Sequence, residues 1–211
     1  MTLTFYTNPM SRGRIARWML EEVGAAYETE YLFYGTTMKD DAYLAINPMG
    51  KVPAIKHGDT VVTECAAICA YLADAFPEAG LAPPIDQRGD YYRWLFFAAG
   101  PVESATTNKA LNVSTDGHQQ MAGYGDFDTM YNALVGAVSG TPYLCGDQFT
   151  SADVYLGSQV GWGLQFGSLP AHPALEAYRD RLYARPAHQR ADDLDNAAMA
   201  EQNPEPSPDG S

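Results

Sequence analysis

The spacing of apolar and polar positions predicts the elements in the first part of the chain. Alternating, β-rich runs at 2–6 and 27–33 favour strands. Between them, apolar residues recur every three or four positions from Ser11 to Gly24, which favours an amphipathic helix. The remaining predicted elements are a short helix at 40–46, strands at 51–55 and 60–62, and a helix at 64–76. The predicted order is therefore β-α-β-α-β-β-α.

The rest of the chain has helical spacing after a segment rich in proline and glycine. The predicted helices are 86–113 with a bend at Gly100-Pro101, 118–138, 150–166 and 173–184. Six acids, three prolines and few apolar side chains at the end of the chain favour a disordered or loosely attached tail. We therefore predict an α/β domain with a thioredoxin-like element order, followed by an all-α domain. The predicted boundaries are 1–78 for the first domain, 79–86 for a linker, 87–190 for the helical domain and 191–211 for the tail.

Composition excludes several classes of protein. With 211 residues, 46% of them apolar, the chain can bury a sizeable core. The formal charge of −13 disfavours binding to nucleic acids or to anionic membranes. No run approaches the roughly 18 apolar residues of a membrane span, and the N-terminus does not have the pattern of a secretory signal. Three cysteines do not suggest a disulfide framework, so we expect a cytoplasmic protein.

Four segments carry a more specific signal. They are FYTNPMSRGRIARWMLEEVGA at the start, NPMGKVPAI at 47–55, TECAAICAYLAD at 63–74 and FTSADVYLG at 149–157. In this order and at this spacing, they resemble the glutathione transferase family over nearly the whole chain. The last segment also matches a capping box, because Thr150 precedes Asp153 by three positions. The resemblance implies a cytosolic, bacterial-like enzyme of serine type that transfers the glutathione thiolate to a small hydrophobic electrophile.

The resemblance also implies that a residue in the loop after the first strand stabilises that thiolate. A free thiol of this kind has a pKa of about 8.5, so an enzyme must favour its charged form. Ser11 lies where the helix is predicted to begin, where a hydroxyl and a helix N-terminus both favour an anion. Asn8 and Tyr6 remain alternatives, and Ser11 can instead serve only as a helix cap. The loop contains no cysteine, which disfavours thiol–disulfide exchange with proteins at this site.

Five residues are expected to hold the tripeptide. The resemblance implies a cis peptide before Pro53, so that the Val52 backbone pairs with glutathione as an added strand. Glu64 would bind the γ-glutamyl ammonium, and the backbone N–H of Cys65 would bind the γ-glutamyl carboxylate. The family usually has serine at that second position, and a thiol is a weaker donor. Lys51 either reaches the glycyl carboxylate or is simply solvated.

The second substrate is less well defined by the sequence. Candidates for its pocket are Met10, Phe97, Pro101 and Ser104, although aromatic residues at helical spacing more often belong to a core. No metal-binding motif is visible, glutathione is the co-substrate, and the family implies a homodimer. Two rival functions remain. One is a related glutathione enzyme such as a peroxidase, isomerase, dehalogenase or disulfide-bond reductase, and the other is a non-catalytic glutathione- or ligand-binding protein.

The distribution of charge refines the picture. The tail carries six of the net negative charges, which leaves −7 for residues 1–190. Four basic residues lie close in sequence to the expected anchors: Arg12, Arg14, Arg17 and Lys51. We therefore expect a locally basic site, and the overall acidity does not exclude an anionic small-molecule substrate.

Overall fold

The computed structural model describes residues 1–202 of the chain. Its strands are β1 (Leu3–Thr7), β2 (Glu28–Tyr31), β3 (Ala54–His57) and β4 (Thr60–Thr63). Its helices are α1 (Gly13–Val23), α2 (Asp41–Leu44), α3 (Cys65–Ala75), α4 (Gly89–Phe97), α5 (Glu103–Ala110), α6 (Phe127–Ser139), α7 (Ser151–Phe166), α8 (Pro173–Tyr183) and α9 (Pro186–Gln202). No helix among these residues is long and apolar enough to cross a membrane. The predicted β-α-β-α-β-β-α order of the first part is confirmed.

The chain forms two compact units. The first combines Met1–Ile68 with Pro186–Gln202, and the second spans Cys69–Arg185. The division falls inside α3, and the C-terminal helix α9 belongs to the first unit together with the sheet. The two units thus divide the chain differently from the sequence-predicted boundaries, which remain a prediction.

A four-stranded mixed sheet with the order β2-β1-β3-β4 forms the centre of the first unit. Strand β1 is parallel to β2 and antiparallel to β3, and β4 returns antiparallel to β3. Alternation along β1 buries Leu3, Phe5 and Thr7 on one face. Helix α1 faces the core with its apolar stripe, and Gly24 ends it in a left-handed conformation with φ of 64°.

A buried ion pair joins α1 to α9. The Nε of Arg17 lies 2.8 Å from Oδ1 of Asp195, with side-chain exposures of 3% and 0%. The other N–H groups of Arg17 donate to hydroxyl oxygens at the β2 end of the sheet, namely those of Tyr27, Thr29 and Tyr31. Its guanidinium also lies 5.1 Å from the centroid of the Phe5 ring. One side chain therefore joins a helix, a strand and the C-terminal helix.

The expectation of a disordered tail is wrong for residues 191–202. They form most of α9, and Ala191, Asp195 and Ala198 are buried at the three- and four-residue spacing of a helix face. The acidic residues that favoured disorder are partly the ionic partners of α1, an interaction that composition alone does not reveal. Residues 203–211 of the predicted tail lie outside the described part of the chain.

The second unit is helical, with two differences from expectation. The predicted bend at Gly100-Pro101 is a π-helical turn over Ala98–Val102, which joins α4 to α5. Proline has no N–H for the regular ladder, and such a turn absorbs that defect. The helix predicted at 118–138 begins only at Phe127. Glycines at 123 and 125 interrupt it, and the Asp126 side chain accepts a hydrogen bond from the Thr129 N–H as the cap.

The predicted capping box at the start of α7 is present. Oδ2 of Asp153 accepts hydrogen bonds from both the backbone N–H and the hydroxyl of Thr150, each at 2.9 Å. Its Oδ1 accepts from the Leu144 N–H and from the Tyr178 hydroxyl. Burial raises the pKa of Asp153, while these four donors oppose that shift. This carboxylate therefore ties two helices and a loop of the second unit together.

Replacing Asp195 by alanine should lower the free energy of unfolding by about 3–5 kcal/mol. The reason is that Arg17 would be left as a buried charge without its carboxylate partner. Urea unfolding measures the effect, and Asp193→Ala on the exposed side of the same helix is the matched control. The control should change stability by no more than about 0.5 kcal/mol. Equal losses in the two variants would contradict a specific role for the buried pair.

Candidate active site

The strand registers bring three of the sequence-predicted segments together. Tyr6 pairs with Ala54 in one antiparallel ladder, and Ala54 pairs with Thr63 in the next. Continuing both registers by two residues sets the position of Val52 opposite that of Asn8 on one side and that of Cys65 on the other. The Val52-Pro53 peptide is cis, as predicted. The cis peptide therefore directly precedes β3, the strand that pairs with both β1 and β4.

The loop after β1 is organised by its own polar side chains. The Asn8 amide donates to the Leu32 carbonyl at 2.8 Å, and its Oδ1 accepts from the Met10 N–H at 2.9 Å. Ser11 Oγ donates to the Asn8 carbonyl at 2.7 Å and accepts from the Gly13 N–H at 2.9 Å. Ser11 thus lies two residues before α1 rather than at its cap. Its hydroxyl is partly exposed, whereas Asn8 is buried and holds the loop in place.

Tyr6 lies on the face of the sheet opposite to the one that packs against α1. Its neighbour Phe5 packs beneath Arg17 of α1, and successive strand residues point to opposite faces. The Tyr6 ring instead packs against Tyr43 of α2, with centroids 5.6 Å apart. Burial, with the nearby charge of Glu30, raises the pKa of Tyr6. The structure therefore does not bring Tyr6 together with Ser11, and it gives Tyr6 a packing contact.

The start of α3 contains an unusual backbone conformation. Glu64 has a φ of 66° although it is not glycine, and its side chain is exposed. A left-handed conformation costs about 1–2 kcal/mol for an ordinary residue, and such outliers cluster at functional sites. Cys65 follows as the first residue of the helix, and its Sγ lies 3.6 Å from the Arg12 carbonyl. This thiol contact links the start of α3 directly to the loop that carries Ser11.

Hydrogen bonds from α2 and the residues beside it hold the segment before the cis peptide in place. The Lys51 carbonyl accepts hydrogen bonds from the Tyr43 hydroxyl at 2.6 Å and from the Asn47 amide at 2.7 Å. Lys39 Nζ donates to the carbonyl of Gly50 at 2.9 Å. The Lys51 side chain is exposed. The backbone that leads to Val52 is therefore fixed, while the ammonium group of Lys51 reaches solvent.

The candidates for the second-substrate pocket lie in different units. Met10 belongs to the first unit and is 66% exposed. Phe97, Pro101 and Ser104 belong to the second unit and follow each other at four- and three-residue spacing across the π-helical turn. None of these three lines the open cavity of about 370 Å³ that is formed by the surroundings of α5 and the start of α6.

The predicted basic character of the site is only partly present. Arg17 forms a buried ion pair with Asp195, and Arg14 forms an ion pair with Asp192 at 3.4 Å. Their positive charges are therefore matched by carboxylates of α9 rather than left for a ligand. Sequence distance alone could not reveal this, since the partners are nearly 180 residues away.

Sequence reasoning missed two residues beside the loop. Thr7 is fully buried, and its hydroxyl oxygen has no hydrogen-bond partner among the described residues. Gly13 packs against it so closely that an added Cβ would overlap Thr7 Oγ1. The signal in the sequence was a glycine at a predicted first turn of a helix, where it is otherwise unfavourable.

Comparison with known families identifies this arrangement. The family model for the glutathione S-transferase N-terminal domain matches residues 10–75, and that for the C-terminal domain matches residues 115–186. The chain belongs to the glutathione S-transferase family. The first match contains residues 10–12 of the loop after β1, the cis peptide and the start of α3.

Individual members of the glutathione S-transferase family are similar over most of the chain. A glutathione S-transferase of Xanthomonas campestris is 32% identical, over 70% of this chain and 77% of its own. A solved glutathione transferase from Methylococcus capsulatus has 30% identity and a TM-score of 0.77, covering 93% of this chain and 100% of its own. The structure of a sphingomonad glutathione S-transferase complexed with glutathione has 28% identity and a TM-score of 0.75, covering 92% and 98%.

Gly13→Ala should destabilise this glutathione S-transferase by about 1–3 kcal/mol, because the new methyl group would overlap the Thr7 hydroxyl. The double variant Thr7→Ala/Gly13→Ala should recover most of that loss, since the overlapping oxygen is removed. A double-mutant cycle of urea unfolding measures this coupling. Additive losses would show that the close approach of the two residues does not control stability.

Proposed function

We propose that the protein is a glutathione transferase that joins the glutathione thiolate to small electrophiles. The observation that carries the proposal is the convergence of the cis Val52-Pro53 segment, the start of α3 and the loop that contains Ser11. The glutathione complex of the sphingomonad relative supports the same ligand. In the reaction, the sulfur attacks an electrophilic carbon and forms a carbon–sulfur bond. The leaving group departs with its electron pair, or the added electrons settle on an acceptor atom.

Within this proposal, the backbone of Val52 pairs with the cysteinyl part of glutathione as an added strand. The start of α3 binds the γ-glutamyl end, because the N–H of Cys65 and the positive end of the helix favour a carboxylate. Glu64 binds the γ-glutamyl ammonium, and its left-handed conformation is consistent with a residue held in place for binding. Lys51 is the candidate for the glycyl carboxylate, and its exposed side chain supports that reach.

Ser11 is the proposed donor to the sulfur. Its hydroxyl is partly exposed, unlike the Asn8 side chain, which is buried and engaged at both ends. To reach the thiolate, the hydroxyl must turn away from the Asn8 carbonyl, which accepts its hydrogen bond at 2.7 Å. A hydrogen bond to a charged group contributes about 1.5–3 kcal/mol, enough to lower the thiol pKa by roughly one to two units.

The second substrate is proposed to be a small hydrophobic electrophile. Met10 presents an exposed thioether next to the Ser11 loop, and Phe97, Pro101 and Ser104 are the proposed contributors from the helical unit. We also propose a cytoplasmic location, a role in detoxification and a homodimer, as the family resemblance implies.

Ser11→Ala should raise the pKa of the bound glutathione thiol by about one to two units and lower kcat at neutral pH by about tenfold or more. The ultraviolet absorbance of the bound thiolate, followed against pH, measures the shift. Ser139→Ala is the matched control, because it removes another hydroxyl bonded to a backbone carbonyl at a distant helix end. An unchanged thiol pKa would make Ser11 a loop-forming residue and Asn8 the leading candidate.

The reaction class is tested with three substrates side by side: a chloro-nitroaromatic, a hydroperoxide and a glutathione mixed disulfide. The proposal expects turnover of the first. Turnover of only one of the others would assign a related glutathione-dependent reaction instead. Absence of glutathione binding at millimolar concentrations in calorimetry would reject all three enzymatic functions.

A further inference from the structure

Arg14 connects the active-site loop to the C-terminal helix. Its Nε donates to the Pro9 carbonyl at 2.7 Å, in the loop that precedes α1. Its two terminal nitrogens donate to α9, one to Asp192 Oδ1 at 3.4 Å and the other to Asn196 Oδ1 at 2.8 Å. Each of the three nitrogens of the planar guanidinium thereby donates a hydrogen bond. A movement of α9 would therefore pull on the loop through a single side chain.

The position of α9 on α1 is itself fixed by contacts at three α1 residues that follow Arg14. Asp195 accepts from Arg17 in the buried ion pair. Arg190 lies 3.2 Å from Glu21 in a more exposed pair, with 55% and 17% exposure. The Trp18 ring also packs edge-on against His188, with centroids 4.7 Å apart. Helix α9 is thus a fixed support against which Arg14 can hold the loop.

The group that Arg14 holds lies inside the turn that presents Ser11. Pro9 follows Asn8, whose carbonyl accepts the Ser11 hydroxyl, and precedes Met10, whose N–H donates to the Asn8 side chain. The orientation of the Pro9 peptide therefore helps to determine where the Ser11 hydroxyl points. We infer that Arg14 is a positioning residue through which α9 sets the conformation of the loop 8–12. The effect of this coupling on the glutathione sulfur rests on the proposed function.

A direct electrostatic role for Arg14 is the competing explanation. In that case its positive charge would favour the thiolate, and any cation at this position would suffice. The structure favours the positioning role, because a carboxylate and an amide of α9 already accept from its terminal nitrogens. Lysine distinguishes the two roles. It keeps the charge, but its compact ammonium on a flexible chain cannot reproduce the fork that spans the loop and α9.

The test uses the full chain with three changes. Arg14→Lys removes the fork, the double variant Asp192→Ala/Asn196→Ala removes its support on α9, and Arg190→Ala is the control. The control breaks another contact between the same two helices and leaves Arg14 untouched. Amide hydrogen exchange at Met10 and Gly13 reports on the loop without ligand, since both N–H groups bond inside it. The pH titration of bound glutathione and the split between kcat and KM report on the sulfur.

The inference predicts that Arg14→Lys and the double variant both speed exchange at these two amides by about threefold or more relative to the control. Both should also raise the bound-thiol pKa and lower kcat by about three- to tenfold, with little change in the KM for glutathione. A lysine variant that matches the wild type would overturn the positioning role. So would exchange at the level of the control, or faster exchange with an unchanged thiol pKa.

Failure of the proposed function is distinguishable from failure of this inference. A wild-type protein that does not bind glutathione rejects the proposed function, while the exchange rates in the variants still decide whether α9 holds the loop. Conversely, a wild-type protein that conjugates glutathione normally, with variants that match the control, rejects only the role of Arg14.

Discussion

The buried ion pair between Arg17 and Asp195 is the interaction on which the first unit depends most. Two charges out of water are stable only when each finds a partner and further hydrogen bonds, and Arg17 has five N–H groups to place. Four hydrogen bonds from Arg17 go to Asp195 and to hydroxyl groups at the β2 edge. This requirement fixes the C-terminal helix against α1, although the two elements lie at opposite ends of the chain.

The candidate glutathione site is built on this pair of helices and on the sheet. The cis Val52-Pro53 peptide directly precedes β3, which pairs with both β1 and β4, and the Cys65 thiol contacts the Arg12 carbonyl. None of these groups is close to another in sequence. Glutathione has charged ends and a central thiol, so an extended backbone edge with a helix N-terminus at one end is chemically suited to it.

The sequence predicted the local elements well, because apolar spacing and capping are local properties. It also located the cis peptide, the capping box of α7 and the family, which depend on short motifs. It failed where the outcome depends on distant partners. Composition made α9 look disordered, and sequence proximity made Arg14 and Arg17 look available to an anion. In the structure Arg14 pairs with Asp192 and Arg17 pairs with Asp195, both on α9. The packing of Gly13 against Thr7 was missed for another reason, because it depends on the path of the short loop between them, which apolar spacing does not predict.

The most direct test of this account is a crystal structure of the wild-type protein grown with saturating glutathione. The account predicts the cysteinyl backbone paired with that of Val52, the γ-glutamyl carboxylate at the start of α3, and the sulfur within about 3.5 Å of Ser11 Oγ. A sulfur that contacts the side chain of Asn8 or Tyr6 instead, or glutathione bound away from this edge, would contradict it.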